Sequence, residues 1–383
     1  MQNFVSIESL RAYMAWWVVL GHASHLTRAA DFLPQPVVRL IERGDIAVNV
    51  FIIISGFVIT HLLASKKENY APYLTRRFFR IFPVYLFCLI LAIAITDLYQ
   101  AAYFHTWVVG VDMRQARALE ESSNFFTHLG LHLTLLHGIL PDTFLPFASS
   151  TFLAPAWSLS LEWQFYLVAP VLIFLLSRSS IVMLATVGVS LIVFAIVHTG
   201  KLGTWAYPSF LPISIQYFLI GILSRQCLGR LRQQGLVAEP LIVLAALIAL
   251  LAGPLEALIW IVFLAFTMME MGVLRLQTGA LEKLANVFVF NPLVARVGTW
   301  SYSTYLIHIP VFSIVVGGAT LMLPAVSQAL AVVLVLLSLP LVLLVSWCTF
   351  MLVEKPFNGF GRQLAKRMSE TRSRHGYAGS PNS

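Results

Sequence analysis

Arg11 and His22 lie in the stretch SIESLRAYMAWWVVLGHASH, Ser6 to His25, which otherwise has the apolar character of a membrane span. Eleven residues make about three turns at 3.6 residues per turn, so the two side chains fall on nearly one stripe. Along the axis they are separated by about 16 Å. His25 shares that face, and Glu8 is spaced to pair with Arg11. Ionisable groups within a span face a bundle interior or a wet cavity and mark function. With Arg11 at one interface, His22 is expected near mid-membrane. A guanidinium at the mouth and an imidazole deep inside suit a long ligand with anionic phosphates at one end, and coenzyme A has that shape. The competing reading is an Arg11 that snorkels to lipid phosphates and a His22 that only packs.

Other polar residues stand out against the apolar background. Glu162 falls about five residues into an apolar segment, a costly place for a carboxylate without a partner. Arg76, Arg77 and Arg80 cluster at the edge of another, with Arg80 on the helical face of both. Guanidinium forks suit phosphate oxygens, although Arg76 and Arg77 would also serve as ordinary interface anchors. His128, His132 and His137 include an H-x3-H pair that could hold zinc. A third ligand with usable spacing is missing and leucines crowd the stretch, so interfacial packing is the stronger reading and no metal is expected. GxSxG, HExxH, Walker and dinucleotide motifs are absent.

These residues sit in a chain of 383 residues, 58% hydrophobic and 11% charged, with a mean hydropathy of +0.82. A soluble domain is about half apolar and a quarter charged. The chain is an integral membrane protein by composition alone. The formal charge of +8 is not gathered on a soluble surface, so nucleic acid is not the partner it implies. Cys88, Cys227 and Cys348 lie far apart and read as packing residues.

A span needs about 20 mainly apolar residues. Ten candidates follow, at roughly 11–27, 46–64, 81–99, 156–176, 180–198, 207–224, 237–252, 255–271, 300–320 and 328–352. The stretch 125–140 is short and polar and reads as interfacial or re-entrant. Ten spans put both termini on one side, which then holds all but six of the 25 lysines and arginines. The six are Arg28, Arg39, Arg43, Arg114, Arg117 and Lys201. The positive-inside rule makes the richer side cytoplasmic. The first segment lacks the pattern of a cleaved signal peptide. The expected architecture is therefore an all-α bundle of about ten transmembrane helices with a central cavity and cytoplasmic termini. The bundle is expected over 1–355, followed by a basic tail, 356–383, that is partly disordered and near anionic lipid.

The segment IESLRAYMAWWVVLGH resembles the signature of acyltransferase family 3, in which a basic residue precedes a histidine by eleven positions; Arg11 and His22 match it. AVNVFIIISGFVIT resembles the family's second-helix motif through Ser55 and Gly56, with Asn49 where the family often has an acid. YLTRRFFRIFPVYLF is similar to its arginine-rich third-helix entry. PAWSLSLEWQFYLVAPVL resembles its Trp-Ser-Leu-x-x-Glu motif, ending at Glu162. VGTWSYSTYLIHIPVF carries Ser301, Tyr302, Tyr305, His308 and Pro310 in the family's spacing, and EKPF at 354–357 fits its terminus.

The resemblance implies a multi-pass enzyme, most naturally of a bacterial inner membrane. It would move an acyl group, by default acetyl, from cytoplasmic acyl-CoA to a hydroxyl of an envelope or exported glycan. His22 is then the expected general base. Glu162, facing the acceptor half of the cavity, is expected to be catalytic by orienting His22, binding an acceptor hydroxyl or shuttling a proton, with structural pairing to a buried cation as the competing reading. Arg11 and Arg80, with Arg76 and Arg77, are the expected donor-phosphate ligands. Ser55, Gly56, Asn49, Tyr305 and His308 are expected to line or support the cavity. A small metabolite or lipid acceptor is the alternative within the same chemistry. A secondary transporter is the competitor from another class, but it would show repeated halves with interrupted helices.

Overall fold

The computed structural model describes residues 4–65, 68–234, 238–274 and 279–377. Among these the chain is helical throughout, without strands. The first group of helices is α1 (Val5–Thr27), α2 (Gln35–Ile41), α3 (Gly44–Ser65), α4 (Tyr70–Ala94), α5 (Thr96–Tyr103), α6 (Val111–Ser123) and α7 (Phe125–Thr134). Then come α8 (Trp157–Arg178), α9 (Ser180–His198), α10 (Leu211–Gln234), α11 (Ala238–Leu251) and α12 (Pro254–Glu270). The last group is α13 (Gly279–Phe288), α14 (Pro292–Thr299), α15 (Ser301–Phe312), α16 (Gly318–Met322), α17 (Gln328–Thr349) and α18 (Lys355–Tyr377). Two π-turns interrupt this order, Ser313–Gly317 after α15 and Phe350–Glu354 between α17 and α18.

Seven helical segments among the described residues are long and apolar enough to cross a membrane. They contain α3, α4, α8, α9, most of α10, α15 with α16, and α17 with α18. This is fewer than the ten expected. The difference lies in α1, α11 and α12. α1 has the length but carries Glu8, Arg11, His22 and His25, and α11 and α12 are short. The stretch 125–140 is not a span: α7 ends at Leu135 in the left-handed region (φ 57°), and the chain folds back against α8. There Ser160 Oγ accepts from Gly138 N at 3.0 Å and donates to the Leu135 carbonyl at 2.8 Å. The region expected to be a loose tail begins as α18, which packs on α4 through the Phe360–Phe79 ring pair; residues 378–383 lie outside the described residues.

α1 is the axis of the bundle. Phe4 at its start meets Phe57 and His61 near the end of α3, while Gly44 at the start of α3 sits against Val18, so the two helices run antiparallel. The free N–H groups at the start of α1 are answered by a carboxylate. Glu270, the last residue of α12, accepts from Val5 N at 2.7 Å, Ser6 N at 3.1 Å and Ser6 Oγ at 2.8 Å. An anion there also opposes the positive end of the helix dipole.

Glycines set the closest crossings. A Cβ on Gly56 would come within 2.5 Å of the Phe218 carbonyl oxygen on α10, and one on Gly221 would overlap the Ile53 carbonyl on α3. Without side chains at these two positions the backbones meet directly, the means by which apolar helices gain dispersion contact where no hydrophobic force drives them together. Gly298 on α14 likewise leaves no room beside the Glu8 carbonyl of α1. Gly221→Ala is expected to push α3 from α10 and destabilise the fold by about 1–3 kcal/mol or more. Gly130→Ala, where a Cβ would meet nothing within 4 Å, is expected to leave stability unchanged or slightly raised. Thermal unfolding of the two purified variants in detergent checks the contrast.

Candidate active site

A cavity of about 670 Å³ lies between α1, α3, α4, α8, α10 and α15. Arg11, Arg80, Ser301 and Tyr302 line it near the start of α1. Val48, Phe51 and Ser158 line it towards the starts of α3 and α8, which enter from the other end. Ser55, Glu162, Tyr166 and Tyr305 stand between. Helices that enter the bundle from opposite ends thus line one space.

The four sequence-singled arginines are not equivalent. Arg76 is ion-paired with Glu68, just ahead of α4, and does not line the cavity. Arg80 is ion-paired with Glu354, which is fully buried and also accepts from Ser303 Oγ at 2.7 Å. The π-turn Phe350–Glu354 delivers this carboxylate, and Tyr302 lies under Arg80 with its ring centroid at 5.6 Å. Arg80 is therefore at the cavity wall with its charge already answered. Arg11 has only a loose partner, Glu8 at 3.6 Å, and its Nε is buried without an acceptor. Arg77 lies over the Tyr166 ring at 5.6 Å, and its Nε too is buried without an acceptor. Buried donors without partners are rare because each costs a substantial part of its hydration.

Glu162 lies in the arginine cavity, not beside His22. Its Oε1 accepts from Ser55 Oγ at 3.1 Å and Tyr166 OH at 2.5 Å. His22 does not line the cavity either. It stands in the last two turns of α1, about 8 Å from the helix end at 1.5 Å per residue, where neighbouring Gly21 meets the Ile41 carbonyl. That is well past the midpoint of the helix, because α1 begins at Val5 and not at Arg11.

Two rings connect the cavity to His22. Tyr305 lines the cavity, accepts from Ser158 Oγ at 2.9 Å and donates to the Pro155 carbonyl at 3.1 Å. Its ring is 6.4 Å from that of His308, which is 5.1 Å from His22. His308 is fully buried. Its Nδ1 faces the Thr304 carbonyl at 3.1 Å and so carries the proton, which leaves Nε2 a buried lone pair without a donor. Nδ1 of His22 is also buried without a partner. Sequence reading set His308 among the residues that line or support the cavity, without its partner: its ring lies against that of His22. The signal was present in its position two turns into a motif helix, but the pairing itself spans 286 residues of chain.

Asn49 turns away from the cavity and donates to buried Glu256 on α12 at 3.0 Å. It supports the crossing of two helices, and its amide stands where a second carboxylate would have met Glu256. The histidines of the α7 region gather into a packed cluster outside the apolar helices. The His132 and His137 rings stack at 3.9 Å, His132 Nδ1 meets Tyr85 OH at 3.0 Å, and Thr151 Oγ1 joins His132 to His128. Among the described residues no group of three or more His, Cys, Asp or Glu is placed to hold a metal ion.

A helical multi-pass membrane protein with a basic cavity reaching into its bundle is the class these features define. The family model for an acyltransferase domain matches residues 4–351, nearly the whole chain. The chain belongs to acyltransferase family 3. Among characterised proteins it is similar to acyltransferase MdmB of Streptomyces mycarofaciens, 28% identical over 162 residues, which is 41% of this chain and 37% of that protein. The alignment thus spans little more than a third of the relative's length. No solved structure matches.

Burial pushes His137 from an ordinary value of about 6.5 down to about 3 and holds His132 well below that ordinary value. The unfolded chain then binds more protons than the folded one between those limits, so stability is full above about pH 6.5 and falls as pH drops towards 3. The thermal midpoint is expected to decline over that window, and His137→Asn is expected to flatten the decline. Unfolding curves of both proteins from pH 7.5 to 4 measure it.

Proposed function

We propose that this acyltransferase moves an acyl group, acetyl by preference, from cytoplasmic acyl-CoA to a hydroxyl of an envelope or exported glycan at the far side of the membrane. The observation that carries the reading is the Arg11 Nε group, buried without an acceptor in the wall of a cavity that Arg80 also lines; Arg77, one turn before Arg80 and outside that lining, has a second such Nε. Phosphate oxygens of a donor would satisfy both. Arg80, held by Glu354, would add a third contact from the wall, and Arg76 would remain an anchor.

In this reading α1, α11 and α12 join the seven apolar segments to make ten spans. Both termini are then cytoplasmic, in keeping with the charge asymmetry, and a bacterial inner membrane is the proposed location. The transmembrane domain closes near residue 355 with the Glu354 contact. Arg11 faces the cytoplasm and His22 the outer half. The pantetheine arm covers the ~16 Å between them by passing Tyr305 and His308.

His22 takes the proton of the acceptor hydroxyl, and the freed oxygen attacks the thioester carbonyl. The carbon–sulfur bond breaks, the new ester leaves, and the thiolate of coenzyme A recovers the proton. His308, with its proton fixed on Nδ1, offers Nε2 towards the His22 ring and so helps set which His22 nitrogen is basic. Glu162, bound to Ser55 and Tyr166, shapes the middle of the track and does not touch the reacting oxygen.

Two outcomes test the assignment. His22→Ala is expected to lower transfer from radiolabelled acetyl-CoA in membranes by about 10²–10⁴-fold with unchanged protein level; retained turnover removes His22 as the base. Arg11→Gln is expected to weaken coenzyme A binding about tenfold or more, since a charge-assisted hydrogen bond contributes about 1.5–3 kcal/mol. Arg76→Gln is expected to leave it within about twofold. Titration calorimetry in detergent distinguishes them, and equal losses would contradict the sorting of the arginines. Glycan O-acetylation compared between a deletion strain and its parent identifies the acceptor class.

A further inference from the structure

α5 and α6 cap the end of α1 that carries His22 and His25, and Val109 N, in the connection between them, donates to the His25 carbonyl at 3.0 Å. Arg114 and Arg117 stand one turn apart on α6 and are only 7% and 5% exposed. Arg114 lies over the Tyr103 ring at 4.9 Å and Arg117 over the Tyr99 ring at 5.5 Å, and these two rings stack on each other at 4.6 Å. Both guanidiniums donate to one neutral acceptor, the Tyr99 hydroxyl, and Arg114 Nε adds the Val109 carbonyl at 3.3 Å.

Neither arginine has an anion. Among the described residues no carboxylate oxygen comes within 4.0 Å of their nitrogens. Glu121, a turn beyond Arg117, places Oε2 on Phe152 N at 2.6 Å; burial raises its carboxyl above the ordinary range, while the Phe152 bond and the charge of Arg117 oppose that rise without a contact between the two side chains. Two like charges, nine-tenths buried and sharing a single hydroxyl, are unfavourable unless a counter-ion joins them. The surroundings are also rich in donors that lack acceptors: Tyr103 OH is buried without a partner, and so is Trp107 Nε1 on the same connection. A cavity of about 320 Å³, lined by Arg117, Tyr99, Thr96, Gln100 and also by Glu121, whose carboxylate is engaged by Phe152 N, opens beside Arg117.

We propose that Arg114 and Arg117 form a second oxyanion site, apart from the Arg11 and Arg80 cavity, that grips a carboxylate or phosphate on the acyl acceptor and holds its hydroxyl towards His22. Guanidinium forks fixed by aromatic faces are suited to such groups. The acceptor is accordingly an acidic one, a uronic or phosphorylated glycan rather than a neutral sugar. The orientation towards His22 rests on the reading of that residue as the base; the binding of the anion does not.

The test uses the full-length protein in detergent with coenzyme A at saturation, so that the donor's phosphate ligands are occupied. Inorganic phosphate, acetate and a short-chain phosphatidylglycerol are then titrated separately while the thermal midpoint is followed. A rise of a few degrees with phosphate or acetate is expected. The rise is expected to be lost in Arg117→Gln, reduced but present in Arg117→Lys, and retained in His22→Ala. No response in the unaltered protein, or a response that survives Arg117→Gln, overturns the site. A response to the lipid alone overturns the assignment to the acceptor. His22→Ala protein that still transfers acyl groups would remove the base without touching the anion response, so the two failures are read separately.

Discussion

A guanidinium inside an apolar bundle needs an anion, and much of this structure follows from that requirement. Arg80 enters the bundle near the start of α4 and is met by Glu354, a residue 274 positions away that a π-turn brings inwards. Arg76 is met by Glu68 before the helix begins. A buried pair of this kind loses a great deal if one partner is removed, because the other charge is left alone in a low dielectric. Where the chain supplies no acceptor, as at the Nε groups of Arg11 and Arg77, the proposed function assigns that place to the phosphates of a donor.

The helices that carry these charges are held at fixed distances by residues with no side chain to interpose. Gly56 and Gly221 bring α3 and α10 to backbone contact, Gly298 does the same for α14 and α1, and Gly317 sets the first π-turn against the Leu98 carbonyl of α5. Glu270 secures the start of α1 and Asn49 joins α3 to Glu256 of α12. Polar bonds and small residues together replace the hydrophobic force that orders a soluble core, since lipid is no less apolar than the interior. The resulting frame sets Arg11, Ser55, Glu162 and Tyr305 around one space.

Local pattern revealed much of this. The stripe from Arg11 to His22 was legible because helical periodicity is a short-range property, and Glu162 was legible because a carboxylate in an apolar run is costly wherever it points. The helical class followed from composition. What escaped the sequence was pairing across long separations. Arg80 with Glu354, His22 with His308 and Asn49 with Glu256 leave no periodic trace, and each changes the role of a residue that was already noticed. Arg114 and Arg117 read as ordinary loop charges because the tyrosines that bury them lie on the preceding helix. The start of α1 also escaped it: the helix begins six residues before Arg11, so His22 stands in its last two turns.

The central claim is that donor phosphates rest on the unpartnered arginines at the start of α1 and α4 while the thioester reaches His22. An experimental structure of the full-length protein with a non-hydrolysable acetyl-CoA analogue tests it most directly. The account predicts phosphate density against Arg11 and Arg77, with the pantetheine arm running past Tyr305 and His308 to place the carbonyl carbon beside the His22 ring. Phosphates bound elsewhere, or an arm that ends in the Glu162 region with Tyr305 closed between it and His22, would contradict it.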